Sequence, residues 1–327
     1  MKRRAVFQTD QLTCYDSDGH QIPCTGTGQD GETRSGLPWP VSRFTPAGRR
    51  VFDRLSGMMW PRDAGLIQFP LTWDEAQERI AEFNAEGWDG YSDWRLPTRS
   101  ELFTLVSHAR INPALPAGHL FENVFPGYYW TATRCSRYPR QAWYVHFGGG
   151  RIFRGMKHGS YLVWPVRDGR LKGEDGGKRP SADQIRFQCR EGAVLDRLTG
   201  LLWQVPALNG NGTTTWQAAL DQVKELNRRR ALGYVDWRLP NVRELDSLID
   251  PDSHSPAIYP DNPLAAELGD GYWSSTTSVY NAAYGWVIYM QNGEVGVGYK
   301  ANPEFNVMAA RNLKRDCVSF EAAETDH

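Results

Sequence analysis

The chain holds 327 residues, with 37 Lys and Arg against 38 Asp and Glu and a formal net charge of −1 at pH 7. That length suits two domains rather than one, and near neutrality gives the whole molecule no pull toward a polyanion. With 23% charged and 40% hydrophobic residues, collagen, a coiled coil and a disordered chain are excluded, and no run approaches the ~18 apolar residues of a membrane span.

Met1-Lys2-Arg3-Arg4 has the positive start of a secretory signal, but residues 5–10 lack the roughly 7–15-residue apolar run that would follow it. The protein is therefore expected in the periplasm, at the cell surface or secreted if a signal has been removed, and in the cytoplasm otherwise. Next, Cys14 and Cys24 flank the turn signal Asp18-Gly19, which predicts a short hairpin with both thiols in disulfide reach. Residues 1–42 form this leading segment.

From there the chain is written twice. Asp53-Arg54-Leu55-Ser56-Gly57-Met58-Met59-Trp60 returns as Asp196-Arg197-Leu198-Thr199-Gly200-Leu201-Leu202-Trp203, and Asp93-Trp94-Arg95-Leu96-Pro97 as Asp236-Trp237-Arg238-Leu239-Pro240. Tyr129-Trp130-Thr131 returns as Tyr272-Trp273-Ser274, and Trp143 as Trp286. All these pairs stand 143 positions apart, and only near the end does the spacing slip by one, with Arg167 opposite Arg311. So constant an offset means that loops as well as core are duplicated. It predicts a first copy over residues 43–172, a Gly-rich polar linker over 173–185, a second copy over 186–316 and a tail over 317–327. Each copy is long enough for its own core.

Within a copy, Thr72 and Glu75 form a capping-box pattern ahead of Trp73, Ala76, Ile80 and Phe83 at helical spacing. The partner stretch offers Trp216, Ala219, Leu220, Val223 and Leu226. A second helix is expected just after Trp-Arg-Leu-Pro, capped by Thr98 with Glu101 and by Asn241 with Glu244. The period then changes to two: Trp143, Val145 and Phe147 alternate with Tyr144 and His146, as Trp286, Ile288 and Met290 do with Val287 and Tyr289. Gly148-Gly149-Gly150 and Gln291-Asn292-Gly293 read as hairpin turns. A last strand is expected over 161–167 and 305–311. Each copy thus reads as α+β, two helices followed by an antiparallel β-meander.

In this order, the series Asp-x-x-Ser/Thr-Gly-x-x-Trp, Thr-Trp, Asp-Trp-Arg-Leu-Pro and Tyr-Trp-Ser/Thr resembles the Lcl C-terminal domain family, named for a Legionella collagen-like adhesin. The resemblance covers nearly everything from Arg43 to Asp316. It implies tandem C-type-lectin-like domains and binding rather than chemistry: surface attachment, with sulfated glycan recognition in the adhesin, and no catalytic set to carry over. In lectin-like folds the chain ends lie together, which would let Cys189 and Cys317 bond and leave Cys135, opposite Ser278, as the odd thiol.

Two motifs invite a site. Arg95 or Arg238 beside its Trp could hold a carboxylate or sulfate bidentately. The architectural reading is a strand end in which Trp and Leu pack, Arg pairs with a nearby Asp and Pro sets the helix entry, and presence in both copies favours it. Asp53 and Asp196 could offer oxygens to calcium, but Asp-x-x-Ser/Thr-Gly more often marks a hairpin turn, and no Asp-rich loop for a hard cation is present. No cofactor is expected, with calcium the minor alternative.

Charge separates the copies. Between Thr131 and Lys172 stand Arg134, Arg137, Arg140, Arg151, Arg154, Lys157, Arg167, Arg170 and Lys172 against one acid, Asp168. With Tyr138 these suit an anionic sugar, charge on the anion and ring on the ring. The second copy offers Tyr280, Asn281, Tyr284, Tyr289, Asn292 and Tyr299, a set suited to adaptable binding. The expected function is non-enzymatic, adhesin-like recognition of an anionic, sulfated or carboxylated glycan or of a protein ligand through the late loops and strands of both copies. The alternatives are an enzyme using Cys135 and a structural module of an envelope complex. Nucleic acid is disfavoured because no groove-reading motif accompanies the arginines. Oligomeric state is left open.

Overall fold

A computed structural model describes residues 6–169, 185–205 and 212–313. The leading segment contributes a two-stranded hairpin, β1 (Cys14–Tyr15) and β2 (Gln21–Ile22), and a one-turn helix, α1 (Asp30–Thr33). Cys14 and Cys24 are joined by a disulfide. Cys189 is an exposed free thiol, and Cys317, its expected partner, lies outside the described residues.

The first copy opens with β3 (Phe44–Ala47), β4 (Arg50–Asp53) and β5 (Met58–Pro61), then α2 (Trp73–Ala85) and α3 (Arg99–Leu105). The meander follows as β6 (Tyr128–Arg134), β7 (Gln141–His146) and β8 (Arg151–Met156), and β9 (Arg167–Asp168) returns to pair with β5. The second copy repeats the order with β10 (Phe187–Arg190), β11 (Ala193–Asp196), β12 (Leu201–Gln204), α4 (Trp216–Arg228) and α5 (Val242–Asp246). It ends with β13 (Gly271–Thr277), β14 (Tyr284–Tyr289), β15 (Val295–Tyr299) and β16 (Ala310–Asn312). All the pairings between these strands are antiparallel, and the architecture is mixed α+β in two repeated units.

Local chemistry explains the helices. Thr72 accepts from the Glu75 N–H while Glu75 reaches back to Thr72, and Thr98 with Glu101 and Asn241 with Glu244 close the same reciprocal caps. Trp73, Ala76, Ile80 and Phe83 are buried along one stripe of α2, as are Trp216, Ala219, Leu220 and Val223 on α4. The expected last strand is shorter than its sequence suggested. Only Arg167–Asp168 and Ala310–Asn312 form ladders, while Tyr161 and Leu162 make isolated bridges to Leu71 and Tyr129. That stretch crosses under Leu71 and Tyr129 instead of extending the meander, so no single neighbour runs along it.

Asp-Trp-Arg-Leu-Pro is architectural, with a different acid from the one expected. Arg95 forks onto its own helix cap, Glu101, at 2.7 and 2.8 Å, and meets Asp168 only at 3.5 Å. Arg238 does the same with Glu244 at 2.6 and 2.7 Å. The cap glutamate is already held at the helix entry, so it costs less ordering to engage than a free aspartate. Asp93 and Asp236 instead receive Arg167 and Arg311. Trp94 is tied to α2 through Asn84, which both donates to its carbonyl and accepts from its N–H at 2.8 Å. Trp237 and Asn227 repeat the clasp.

Each copy has an apolar cluster of its own around Trp73 or Trp216, but the copies also share a core. Residue Val295 of β15 pairs with Ile152 of β8, so the two meanders merge into one six-stranded sheet in the order β13-β14-β15-β8-β7-β6. One apolar cluster then runs through both copies, with Leu102, Phe103, Trp143 and Ile152 packed together with Leu245, Trp286, Ile288 and Val295. His108 sits in this seam, edge-on to Phe103 and Trp286, and burial holds its pKa well below the ordinary value. Because β8 and β15 run antiparallel, the two meanders point their loop ends to opposite ends of the sheet. Tyr280 in the second copy's loop accordingly lies by the first copy's hairpin turn, where a Cβ on Gly149 would meet its ring at 3.8 Å.

The leading segment is seated mainly on the second copy, with Thr9 and Asp10 also bonded to His108 and Ser107 of the first. The Asp30 carboxylate Oδ2 accepts from Thr9 at 2.6 Å and Thr276 at 2.7 Å, and Asn241 donates to the Ser35 carbonyl. Burial pushes the Asp30 carboxyl up to about 6, against the two threonine hydrogen bonds and with Glu244 adding repulsion. A folded pKa above the unfolded one means that the folded state binds the proton more tightly. Stability is therefore lost as pH rises from about 4 to about 6 and not regained above it, by up to about 3 kcal/mol. Amide protection factors in residues 9–35, with exchange corrected for its intrinsic base catalysis, are accordingly expected to be higher at pH 5 than at pH 7, and Asp30→Asn is expected to flatten that difference. Equal protection of the unsubstituted chain at both pH values would refute it.

Candidate functional site

The first copy's meander ends in a loop, residues 135–140, between β6 and β7. Its turn is closed by Gln141 N–H onto the Tyr138 carbonyl at 2.8 Å and Cys135 N–H onto Gln141 at 3.1 Å. Beside it β8 runs out at Lys157, whose N–H donates to the Arg140 carbonyl and whose carbonyl accepts from Trp73 N–H. Trp73, the first residue of α2, is anchored by its indole N–H on the Thr131 carbonyl at 2.9 Å. These bonds bring the start of a helix, the end of β8 and the 135–140 loop to one place.

On that frame the cations gather. The Lys157 ammonium stands 4.6 Å from the centre of the Trp73 ring and the Arg134 guanidinium 5.3 Å from it. Arg137 lies over Tyr138 at 5.2 Å. Arg134, Arg137, Tyr138 and Arg140 are exposed and Lys157 half-buried. None of these four cations is in an ion pair among the described residues. Fixed, exposed, uncompensated cations set against aromatic faces can hold an anionic group while a ring or apolar edge packs beside it.

Two of the expected arginines play other parts. Arg154 also approaches Tyr138, at 5.5 Å, but it is committed to Glu294 of the second copy at 2.7 Å, an ion pair across the sheet joint. Arg151 stands at the far end of β8, opposite His146, and is a strand's length from the others. Cys135 is buried with Arg154 Nη1 3.9 Å from its sulfur. Sequence reading missed Trp73 as a platform. The signal was present: Trp73 and Lys157 recur at the same offset as Trp216 and Lys300.

The second copy's expected residues divide similarly. Tyr280, Asn281, Tyr284 and Tyr299 belong to its loop end, with Tyr284 and Tyr299 rings 5.4 Å apart and Asn281 capping the turn through the Ala283 N–H. Tyr289 and Asn292 lie at the other end of β14, the first packed on Phe305 and the second hydrogen-bonded to Glu294. Here Lys300 repeats Lys157, 4.0 Å from the Trp216 ring, but it is fully buried under the leading hairpin and donates to the Asp16 carbonyl at 3.1 Å. Burial lowers its pKa to about 7, with Asp16 opposing that shift.

The candidate calcium oxygens are spoken for. Asp53 accepts from Arg43 twice, from Leu55 N–H and from Ser56, and Asp196 accepts from Arg186 twice and from Leu198 N–H. Both are hairpin-turn and ion-pair residues. Among the described residues one cluster of metal-ligand type is found, Asp16, Asp18 and His20, where Asp16 Oδ1 already accepts from two backbone N–H groups. A cleft between the copies, bordered by Phe103, Arg243, Asp246 and Tyr259, contains none of the expected residues.

No curated protein matches the chain. The model of the Lcl C-terminal domain matches residues 49–167 and again residues 192–311, which together are more than half of the sequence. The chain therefore belongs to the Lcl C-terminal domain family and carries that domain twice.

Proposed function

We propose that the protein is a non-enzymatic, adhesin-like recognition protein that binds an anionic ligand at the loop end of its first copy. The observation that carries this is the set of four cations without an ion pair among the described residues, exposed Arg134, Arg137 and Arg140 and half-buried Lys157, held around Trp73 and Tyr138. Two helices ahead of a meander in each copy support a C-type-lectin-like reading, in which late loops are natural places for a ligand. Family membership supports binding as the shared property. The Cys14–Cys24 bond favours an exported protein, because disulfides persist in oxidising compartments. No helix among the described residues is long and apolar enough to cross a membrane.

A polyanion column tests the location of the face. The full chain is expected to be retained on immobilised heparin at low salt and released as salt rises. The paired reversals Arg134→Glu and Arg137→Glu are expected to weaken retention about tenfold or more, roughly 1.4 kcal/mol. Arg151→Glu, a strand's length away, is expected to leave it nearly unchanged. Equal losses at both places would reduce the effect to net charge and defeat the assignment.

A further inference from the structure

The second copy already holds a guest, and its guest is the chain's own leading hairpin. The seat is built from groups that the first copy repeats bond for bond. Trp216 N–H donates to the Lys300 carbonyl at 3.0 Å as Trp73 does to Lys157 at 2.9 Å, and the Trp216 indole donates to Ser274 as that of Trp73 does to Thr131. Lys300 N–H donates to Ala283 as Lys157 N–H does to Arg140, and Tyr284 N–H closes on Asn281 as Gln141 N–H does on Tyr138. The two loop ends are one frame made twice.

On the second frame the hairpin is read mainly through its backbone and one turn. The Lys300 ammonium donates to the Asp16 carbonyl, with the Tyr15 ring centre 6.0 Å away. The β1–β2 turn presses on Ala282 and Ala283 so closely that a Cβ at Gly19 would fall 2.8 Å from the Ala283 nitrogen. Gln11 spans the edge of β13, donating to the Thr277 carbonyl and accepting from its N–H, each at 2.8 Å. An ammonium aimed at one carbonyl, a flat landing for a turn and an open strand edge together suit a polypeptide, whose main chain offers matching groups.

On the first frame the seat is uncovered and more positive. Lys157 is half-buried where Lys300 is fully covered, Arg134 stands where Thr277 does, and Pro139-Arg140 replace Ala282-Ala283. β6 is an edge strand of the six-stranded sheet, as β13 is. The guest on the second copy is itself acidic: residues 9–24 contain Asp10, Asp16 and Asp18 and neither Lys nor Arg. We propose that the first copy's loop end is a receptor for an acidic, turn-forming segment of a partner protein, held over Trp73 and Lys157 as the second copy holds the leading hairpin. This rests on the first copy's loop end being the binding face, and it names the class of ligand.

The probe is a synthetic peptide of residues 9–24 closed by its disulfide and titrated into the full chain by calorimetry. The second frame is held by a tethered copy of the same sequence, whose effective concentration is in the millimolar range, so free peptide reports on the first frame. Saturable binding is expected, weakened at least tenfold by Lys157→Gln and by Arg134→Thr, with the circular dichroism of both variants unchanged. With the unsubstituted protein, a peptide carrying Asp16→Lys and Asp18→Lys is expected to lose binding to a similar degree. Binding that survives all of these changes, or is lost only with Lys300→Gln, would overturn the proposal. A heparin hexasaccharide that binds in a Lys157-dependent way while the peptide does not would overturn the polypeptide assignment and leave the anion-binding face standing. Failure of both probes would sink the two together. Concentration-dependent dimers abolished by Lys157→Gln would show that the guest comes from a second copy of the chain, against a partner protein.

Discussion

Asp53→Ala and Asp196→Ala are each expected to lower the free energy of unfolding by about 3–5 kcal/mol, the cost of leaving a buried cation without its partner. Asp53 is fully buried and takes both arms of the Arg43 fork, at 2.9 and 2.8 Å, together with the Leu55 N–H and the Ser56 hydroxyl. Arg43 is itself only 5% exposed, and its remaining acceptor is the Thr104 carbonyl at the end of α3. Removing the carboxylate would strand the guanidinium, loosen the β4–β5 turn and free the strand from the helix. Asp196 has the same position with Arg186 and the Ser247 carbonyl. Guanidinium chloride titration with an unchanged slope checks the size of the effect. A loss below about 1 kcal/mol, as at a surface ion pair, would contradict the burial on which the argument stands.

Arg99→Ala is expected to be comparably damaging, again about 3–5 kcal/mol, and it addresses how the copies are joined. Arg99 is 1% exposed, yet its charge crosses the seam: Nη2 donates to the Gly293 carbonyl at 2.8 Å and meets Asp246 at 2.7 Å, with the guanidinium 5.1 Å from the Trp143 ring. Arg243 crosses the other way to the Val106 carbonyl at 2.5 Å. With a sheet and a core in common, the two halves are expected to melt in a single calorimetric transition, and Arg99→Ala to move that whole transition downward. Arg99→Lys is expected to restore little, since an ammonium lacks the planar guanidinium face that is set against the Trp143 ring. Two resolved transitions in the unsubstituted chain would show the halves to be independent.

What could be read from the sequence was what neighbouring residues decide among themselves. Thr72 with Glu75 and Thr98 with Glu101 cap helices through contacts three residues apart, so the pattern alone located them. The 143-residue offset carried the architecture of one copy into the other. The joint was not legible. Ile152 and Val295 occupy ordinary inward positions in their strands, and nothing local distinguishes an edge that meets solvent from one that meets its twin. The same blindness hid the fate of Arg154, which counted as a free cation until Glu294 met it across that joint. Arg151 and Arg134 are close in composition and far apart in space because β8 separates them. The seating of the leading hairpin turns on pairs such as Asp16 with Lys300 and Gln11 with Thr277, which no periodicity connects.

The antiparallel joint of β8 with β15 has a further consequence. The two loop ends look away from each other, so under the proposed function duplication would not tighten the grip on one surface. On the proposed reading it would leave a molecule with one open binding pole and one stoppered by the chain's own leading residues. Anything that drew the stopper would turn a single-ended binder into a bridge between two separate bodies.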